Sequence, residues 1–382
     1  MIVNKFSKVQ KVGSASLIVQ PINNLQVVGS APFGPECPVP KGLFWQCPEL
    51  ITEIPVQDFQ HPVIGSCFIV LLQDFQGHHL GPPVVGLAPL QTLHIGMICA
   101  VAEVSFSGCR RNHGLNPPAR FCLKFLVIKK VIEALAAAVP SLIVVNISGS
   151  PVAMPWADKV DAIVQGWYGG SESGHALADV LTGAVNPSGR LPFTFPRSVA
   201  DGPLKTDRQY PGIQEEGKKW WQEYYDEGVF VGYRWYASQG IPVQFPFGHG
   251  LSYTTFRYDG ARLSKSSVKC SGNFDTESGG DTVLTASVNI SNTGDRDGAE
   301  VVQVYIAPPA GGAERPVKEL RGFEKVAIKA GESARVSVSL PRRAFSRFDA
   351  QAHRWVVDPG TWTVLIGSSS EDIRCSLPVV IR

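Results

Sequence analysis

The feature that most constrains this chain is a change of hydrophobic period partway along it. Leu142-Ile143-Val144-Val145-Asn146-Ile147 is a near-continuous apolar run. Such a run suits a strand covered on both faces, as in a parallel sheet. Ahead of it, residues 127–138 are rich in helix formers and carry a charged face, and Pro140 interrupts them. A second unit follows. Ala162 to Trp167 reads as a strand, Gly169 to Gly174 as a glycine-rich turn, and His175 to Leu181 as a helix, with Gly183 placed as its C-terminal cap. This order predicts an α/β layer built on a mostly parallel, flavodoxin-like sheet. After Tyr253 the period becomes two. Thr282–Ser291, Glu300–Ile306, Ala334–Leu340 and Trp362–Ile366 alternate, and turn clusters such as Asn292-Thr293-Gly294-Asp295 and Asp358-Pro359-Gly360 separate them. Short alternating strands with regular turns predict a β-sandwich of immunoglobulin or fibronectin type III kind.

The chain divides accordingly: 1–124 unassigned and irregular, 125–202 the α/β layer, 203–258 a connector rich in Tyr, Trp and charge, and 259–382 the β-sandwich. Residues 1–124 contain apolar runs, Cys67 to Leu72 and Ile95 to Cys99, without consistent periodicity or turn logic between them. Local cues that disagree argue against a well-specified fold there.

Bulk properties exclude some functions. A net charge of +2 over 382 residues, with no basic run, argues against nucleic acid as the main partner. The longest apolar run, Ile64 to Leu72, falls short of the roughly 20 residues of a spanning helix, so no membrane partner is expected. Lys5, Lys8 and Lys11 break up the start of the chain, which leaves no signal-peptide core. None of the eight cysteines is spaced as CxxC, so no zinc site is expected. Cys270 and Cys375 stand near the two ends of the last domain, and the sequence is compatible with a bridge between them or with two free thiols.

Three stretches carry a resemblance. The first runs from Gly149-Ser150-Pro151-Val152-Ala153-Met154-Pro155-Trp156 through Gln165-Gly166-Trp167-Tyr168-Gly169-Gly170 to Asn186-Pro187-Ser188-Gly189-Arg190-Leu191-Pro192. The second is Tyr225-Asp226-Glu227-Gly228 to Tyr236, followed by Phe245-Pro246-Phe247-Gly248-His249-Gly250-Leu251-Ser252-Tyr253. The third is Arg315-Pro316-Val317-Lys318-Glu319-Leu320-Arg321-Gly322-Phe323 with Trp355 to Gly360. In this order they resemble the second domain, connector and fibronectin type III-like domain of family-3 glycoside hydrolases, β-glucosidases and β-xylosidases. The resemblance implies an oligosaccharide or β-glycoside substrate, hydrolysis of terminal β-linked residues, and no metal or organic cofactor.

It also implies where chemistry should lie. Retaining hydrolysis needs two carboxyl groups about 5–5.5 Å apart. In the family the nucleophilic Asp sits on a preceding barrel and the acid/base, commonly a Glu, on a loop just upstream of the helix that begins here near Phe125. A barrel needs about 200 residues or more, and no Ser-Asp-Trp motif is present. The acid/base region reads Arg110-Arg111-Asn112-His113-Gly114-Leu115-Asn116-Pro117-Pro118, without a carboxylate. The expectation is therefore the C-terminal portion of a glycosidase, inactive alone. A non-catalytic carbohydrate-binding or interaction protein is the alternative.

Each remaining candidate has a plainer reading beside it. Glu227 is a substitute acid/base, or a loop carboxylate bonded to backbone N–H groups or to Arg234. Trp156 is a sugar-stacking ring at the C-terminal end of a strand, or core; Asp158 is a substrate contact, or a turn cap. Ser171 and Glu172 are read as helix caps. Trp220, Trp221, Tyr224 and Tyr225 are a sugar platform, or domain-interface packing.

Overall fold

The computed structural model describes the backbone of Ser66–Leu72 and Ile98–Glu103, and residues 129–382 apart from 219, 275–279 and 312–313. The expectations for Arg110 to Pro118, and for most of the first 124 residues, lie outside the described residues.

A parallel four-stranded sheet forms the first body. Strands β1 (Ser66–Leu72), β2 (Ile98–Glu103), β3 (Ser141–Ile147) and β4 (Ala162–Gln165) lie in the order β2-β1-β3-β4. Val70 faces Val101 and Val145, and Asn146 faces Gln165. Two strands of this sheet thus come from the region read as irregular. Their apolar runs are visible in the sequence, but the partner that aligns Ile69 with Val144 lies 75 positions away. No local periodicity encodes such a pairing.

Both faces of the sheet are covered, as a buried parallel sheet requires. Helix α1 (129–138) sets Ile132 against Leu142, Val144, Ile163, Met154 and Trp156, and Leu191, Phe195 and Phe245 complete that core. On the other face Ile143, Val145 and Val164 meet Leu177 and Leu181 of α2 (Ser173–Thr182), with Leu251 and Tyr253 beside them. Helix α2 begins two residues earlier than its periodicity suggests and ends as expected at Gly183, whose φ of +78° would strain any other residue and whose N–H donates to the Val180 carbonyl.

The connector leads into α3 (Tyr233–Gln239) and then into the β-sandwich. Strands β5 (Phe256–Leu263), β8 (Thr282–Asn292) and β11 (Ser333–Pro341) form one sheet in the order β11-β8-β5. The facing sheet runs β10-β9-β14-β15-β6, from β6 (Ser267–Val268), β9 (Gly298–Ala307), β10 (Glu319–Ile328), β14 (Gly360–Gly367) and β15 (Ile373–Ile381). A small third sheet joins β7 (Gly272–Phe274), β12 (Arg347–Asp349) and β13 (Arg354–Val357). The period-two reading translates directly into the core. Leu284, Ala286, Val288 and Ile290 of β8 point inward against Val302, Val304 and Ile306 of β9, while Phe345 meets Trp362 edge to face at 5.6 Å. Cys270 and Cys375 are not bridged to each other in this structure. Burial pushes both upward, and Cys270 packs as a small apolar residue in this core.

The two bodies are joined by polar contacts that neither makes alone. Arg190 donates through Nη2 to Glu300 Oε1 at 2.8 Å, with the side chains 8% and 6% exposed. The Asn186 side chain accepts from the Tyr253 N–H at 2.8 Å and donates to the Asp297 carbonyl at 2.9 Å. Gln303 donates to the Gly248 carbonyl at 3.0 Å and accepts from the Tyr305 hydroxyl at 2.6 Å. Gly248 has a φ of +80°, and a Cβ there would collide with the Gln303 amide. Gly248 therefore lets the chain lie against the sandwich, and Gly250 lets it lie against the Gly189 carbonyl of the α/β body.

Burial, reinforced by the nearby Glu300 charge at Tyr258 and by Tyr233 at Tyr305, raises both phenols far above their ordinary value. A group raised on folding contributes fully below its unfolded pKa of about 10 and loses that contribution as pH rises beyond it. We expect phenolate absorbance from these two residues to appear only together with loss of the folded circular-dichroism signal. In a pH titration, Tyr305→Phe should remove part of that late absorbance. An early, fold-independent rise of the same amplitude would contradict the burial argument.

Candidate functional site

In an α/β sheet the C-terminal strand ends are where ligands bind. Here those of β3 and β4 carry a buried polar network. Asn146 is 1% exposed, and its amide donates to Gln165 Oε1 at 2.6 Å and to the Ser148 hydroxyl at 3.0 Å. Ser148 in turn donates to the Ser150 carbonyl at 2.9 Å. Gln165 Nε2 also donates to the Ser148 hydroxyl at 3.2 Å, and the network holds the two loops in fixed positions. Asn146 lies in a glycosylation sequon, but its amide is committed to this network.

The loop after β3 places Trp156 and Asp158 differently. Trp156 is 3% exposed and part of the core under α1, so its ring presents no face to a sugar. Asp158 is exposed on a single 3₁₀ turn, Ala157–Lys159, that shows no side-chain cap. The carboxylate that secures this segment is Asp161, which accepts from the Leu142 N–H at 2.8 Å. The helix-cap reading of Glu172 also needs correction. It occupies the N-cap position of α2 without a capping hydrogen bond, and its carboxylate turns to His175 Nδ1 at 2.7 Å.

Glu227 lies in the connector, half-buried, far in sequence from these loops. Its carboxylate accepts from Gln209 Nε2 at 2.9 Å. Gln209, 8% exposed, also accepts through Oε1 from the N–H groups of Lys205 and Thr206. Glu227 thus anchors a glutamine that ties the connector to itself. Arg234, its expected partner, pairs instead with Glu319 of β10 at 3.3 Å. The aromatic cluster is also placed differently from its plainer reading. Trp220, Trp221 and Tyr225 are 62%, 56% and 79% exposed, so they do not pack into a domain interface among the described residues. Tyr224 lies under the Arg208 guanidinium at 4.0 Å, and Arg208 pairs with Asp226 at 3.0 Å.

Among the described residues no group of three or more His, Cys, Asp or Glu side chains could hold a metal ion. None of the described helices is long and apolar enough to cross a membrane.

Comparison with known proteins agrees with this architecture. Residues 126–253 match the glycosyl hydrolase family 3 C-terminal domain, and residues 300–370 match a fibronectin type III-like domain. Thermostable beta-glucosidase B of Acetivibrio thermocellus is 41% identical over 244 residues, which cover 64% of this chain and 30% of that protein. Beta-glucosidase B of Emericella nidulans is 42% identical over 250 residues, covering 64% of this chain and 28% of the relative. Among solved structures, DesR, a beta-glucosidase from Streptomyces venezuelae in complex with D-glucose, superposes with a TM-score of 0.58 at 37% identity, covering 66% of this chain and 30% of that one. The beta-D-glucoside glucohydrolase of Trichoderma reesei gives a TM-score of 0.60 at 28% identity, covering 75% of this chain and 40% of that one. The chain thus spans about 30% of the length of the curated relatives it matches.

Proposed function

We propose that this chain, which carries the C-terminal domain of glycosyl hydrolase family 3 and a fibronectin type III-like domain after it, supplies the non-barrel part of a β-glucosidase-type glycoside hydrolase. The observation that carries the reading is the extent of the match. Both domains are present in order, on the α/β layer and β-sandwich described above, while the relatives devote most of their length to other segments. The substrate class is a β-linked glucoside or a related oligosaccharide. The chemistry is retaining hydrolysis by two carboxyl groups. On this reading neither carboxyl group comes from residues 125–382, and Glu227 is a structural anchor for Gln209.

Removing one member of a concerted catalytic pair costs several orders of magnitude in rate. The purified chain should therefore release no nitrophenol from aryl β-glucosides or β-xylosides above the buffer rate. Glu227→Gln should leave that baseline where it is. Turnover that disappears in Glu227→Gln would place a complete active site in this chain and make Glu227 its acid/base.

A further inference from the structure

At the end of β4 the chain makes a strained turn. Trp167 has a φ of +54°. A bulky residue held in that left-handed region costs about 1–3 kcal/mol and persists only where its surroundings over-determine it. The turn sends the Trp167 ring inward, 6.0 Å from Phe193 and 6.2 Å from Phe195. It sends the next ring outward, leaving Tyr168 62% exposed.

Two glycines shape the support around that ring. Gly149, in the loop after β3, lies against its edge, and a Cβ there would stand 2.7 Å from Tyr168 Cε2. Gly169 lies on Ser173, the first residue of α2, where a Cβ would stand 2.6 Å from the serine Cβ. The loop is thereby pinned to the start of the helix, where Glu172 and His175 form their 2.7 Å pair with side chains 81% and 74% exposed. One short loop thus presents an aromatic ring and, a few residues on, a carboxylate–imidazole pair.

We propose that Tyr168, backed by Gly149 and accompanied by the Glu172–His175 pair, is a stacking platform for a pyranose ring of the β-glycoside. The substrate class rests on the functional reading above; the location rests on this geometry. A pyranose has an apolar C–H face and a rim of hydroxyls, which an aromatic ring and hydrogen-bonding side chains complement. A protein partner would need about 800 Å² on this side, far more than one exposed ring provides. The platform also stands at the C-terminal ends of two adjacent parallel strands, where α/β sheets bind their ligands.

The test is a titration of the full chain with cellobiose, followed by NMR chemical-shift changes of the aromatic side chains, on the wild type, Tyr168→Ala and Tyr168→Phe. The expected result is a saturable response in the wild type, weakened at least about ten-fold in Tyr168→Ala and retained in Tyr168→Phe. Tyr168→Phe keeps the ring and so controls for any packing that Tyr168→Ala removes. If the wild type and Tyr168→Ala bind cellobiose equally, the platform assignment is wrong while the glycoside reading stands. If the wild type shows no saturable response, the platform is overturned, and glycoside binding by this part of the protein is overturned with it.

Discussion

Replacing Arg190 by methionine is expected to cost about 3–5 kcal/mol, because it leaves the Glu300 carboxylate buried without its cation. The pair is 2.8 Å long with both side chains less than a tenth exposed, so water cannot substitute for the lost guanidinium. Glu300 Oε1 would keep the N–H of Val301, at 2.8 Å. The loss should also have a location. Arg190 belongs to the α/β body and Glu300 to β9 of the sandwich, so their separation should uncouple the two. In urea the variant should show an earlier transition for the α/β body and a later one for the sandwich. The double variant Arg190→Met/Glu300→Leu should recover most of the loss, since two apolar groups demand no partner. A cost below about 1 kcal/mol for the single variant would mean that the pair behaves as a solvated surface contact.

This pair illustrates why some of the architecture is legible in the sequence and some is not. The β-sandwich reads clearly because each strand states its own inward face: the alternate residues Leu284, Ala286, Val288 and Ile290 are all buried, as the alternation predicts. The Leu142 to Ile147 strand reads for the same local reason, an apolar run between punctuating residues. Arg190 and Glu300 are 110 positions apart, and nothing near either announces the other. The same holds for Asn186 with Asp297 and for Gln303 with Gly248. The stretch Asn186-Pro187-Ser188-Gly189-Arg190-Leu191-Pro192 carries a resemblance when read alone, whereas in the structure its Asn186 and Arg190 join two domains. Ser66–Leu72 and Ile98–Glu103 are legible as apolar runs but not as strands of this sheet, because pairing between distant segments is not encoded in local period.

The strand ends show the same limit at the level of single side chains. Trp156 and Tyr168 are both aromatic and both follow a strand, which is all the sequence gives. What separates them is backbone geometry: the left-handed turn at Trp167 puts Tyr168 outside, while Trp156 enters a core already defined by Ile132, Leu142 and Met154. The signal that could have found Tyr168 is Gly149 together with Gly166-Trp167-Tyr168-Gly169-Gly170, small residues bracketing an aromatic pair. Its meaning depends on the φ of Trp167, which the sequence does not state.

That contrast makes Trp156→Ala an informative variant. Truncating a buried tryptophan typically costs about 3–5 kcal/mol, the transfer energy of the ring plus the cavity left behind. At 3% exposure, against Met154, Val160 and Phe195, Trp156 should lose stability in that range, read as a fall in the denaturant midpoint of the α/β body. Trp156→Phe should recover a large share, because a smaller ring refills part of the volume. The sandwich core is separate and begins beyond residue 255, so any effect on it should be smaller and come through the polar contacts that join it to the α/β body. Were Trp156 a sugar platform, the pattern would reverse: stability would hold and cellobiose binding would fall. Tyr168→Ala is expected to lose cellobiose binding with a smaller change in stability than Trp156→Ala, so the two variants measured side by side assign one aromatic residue to the core and the other to the ligand.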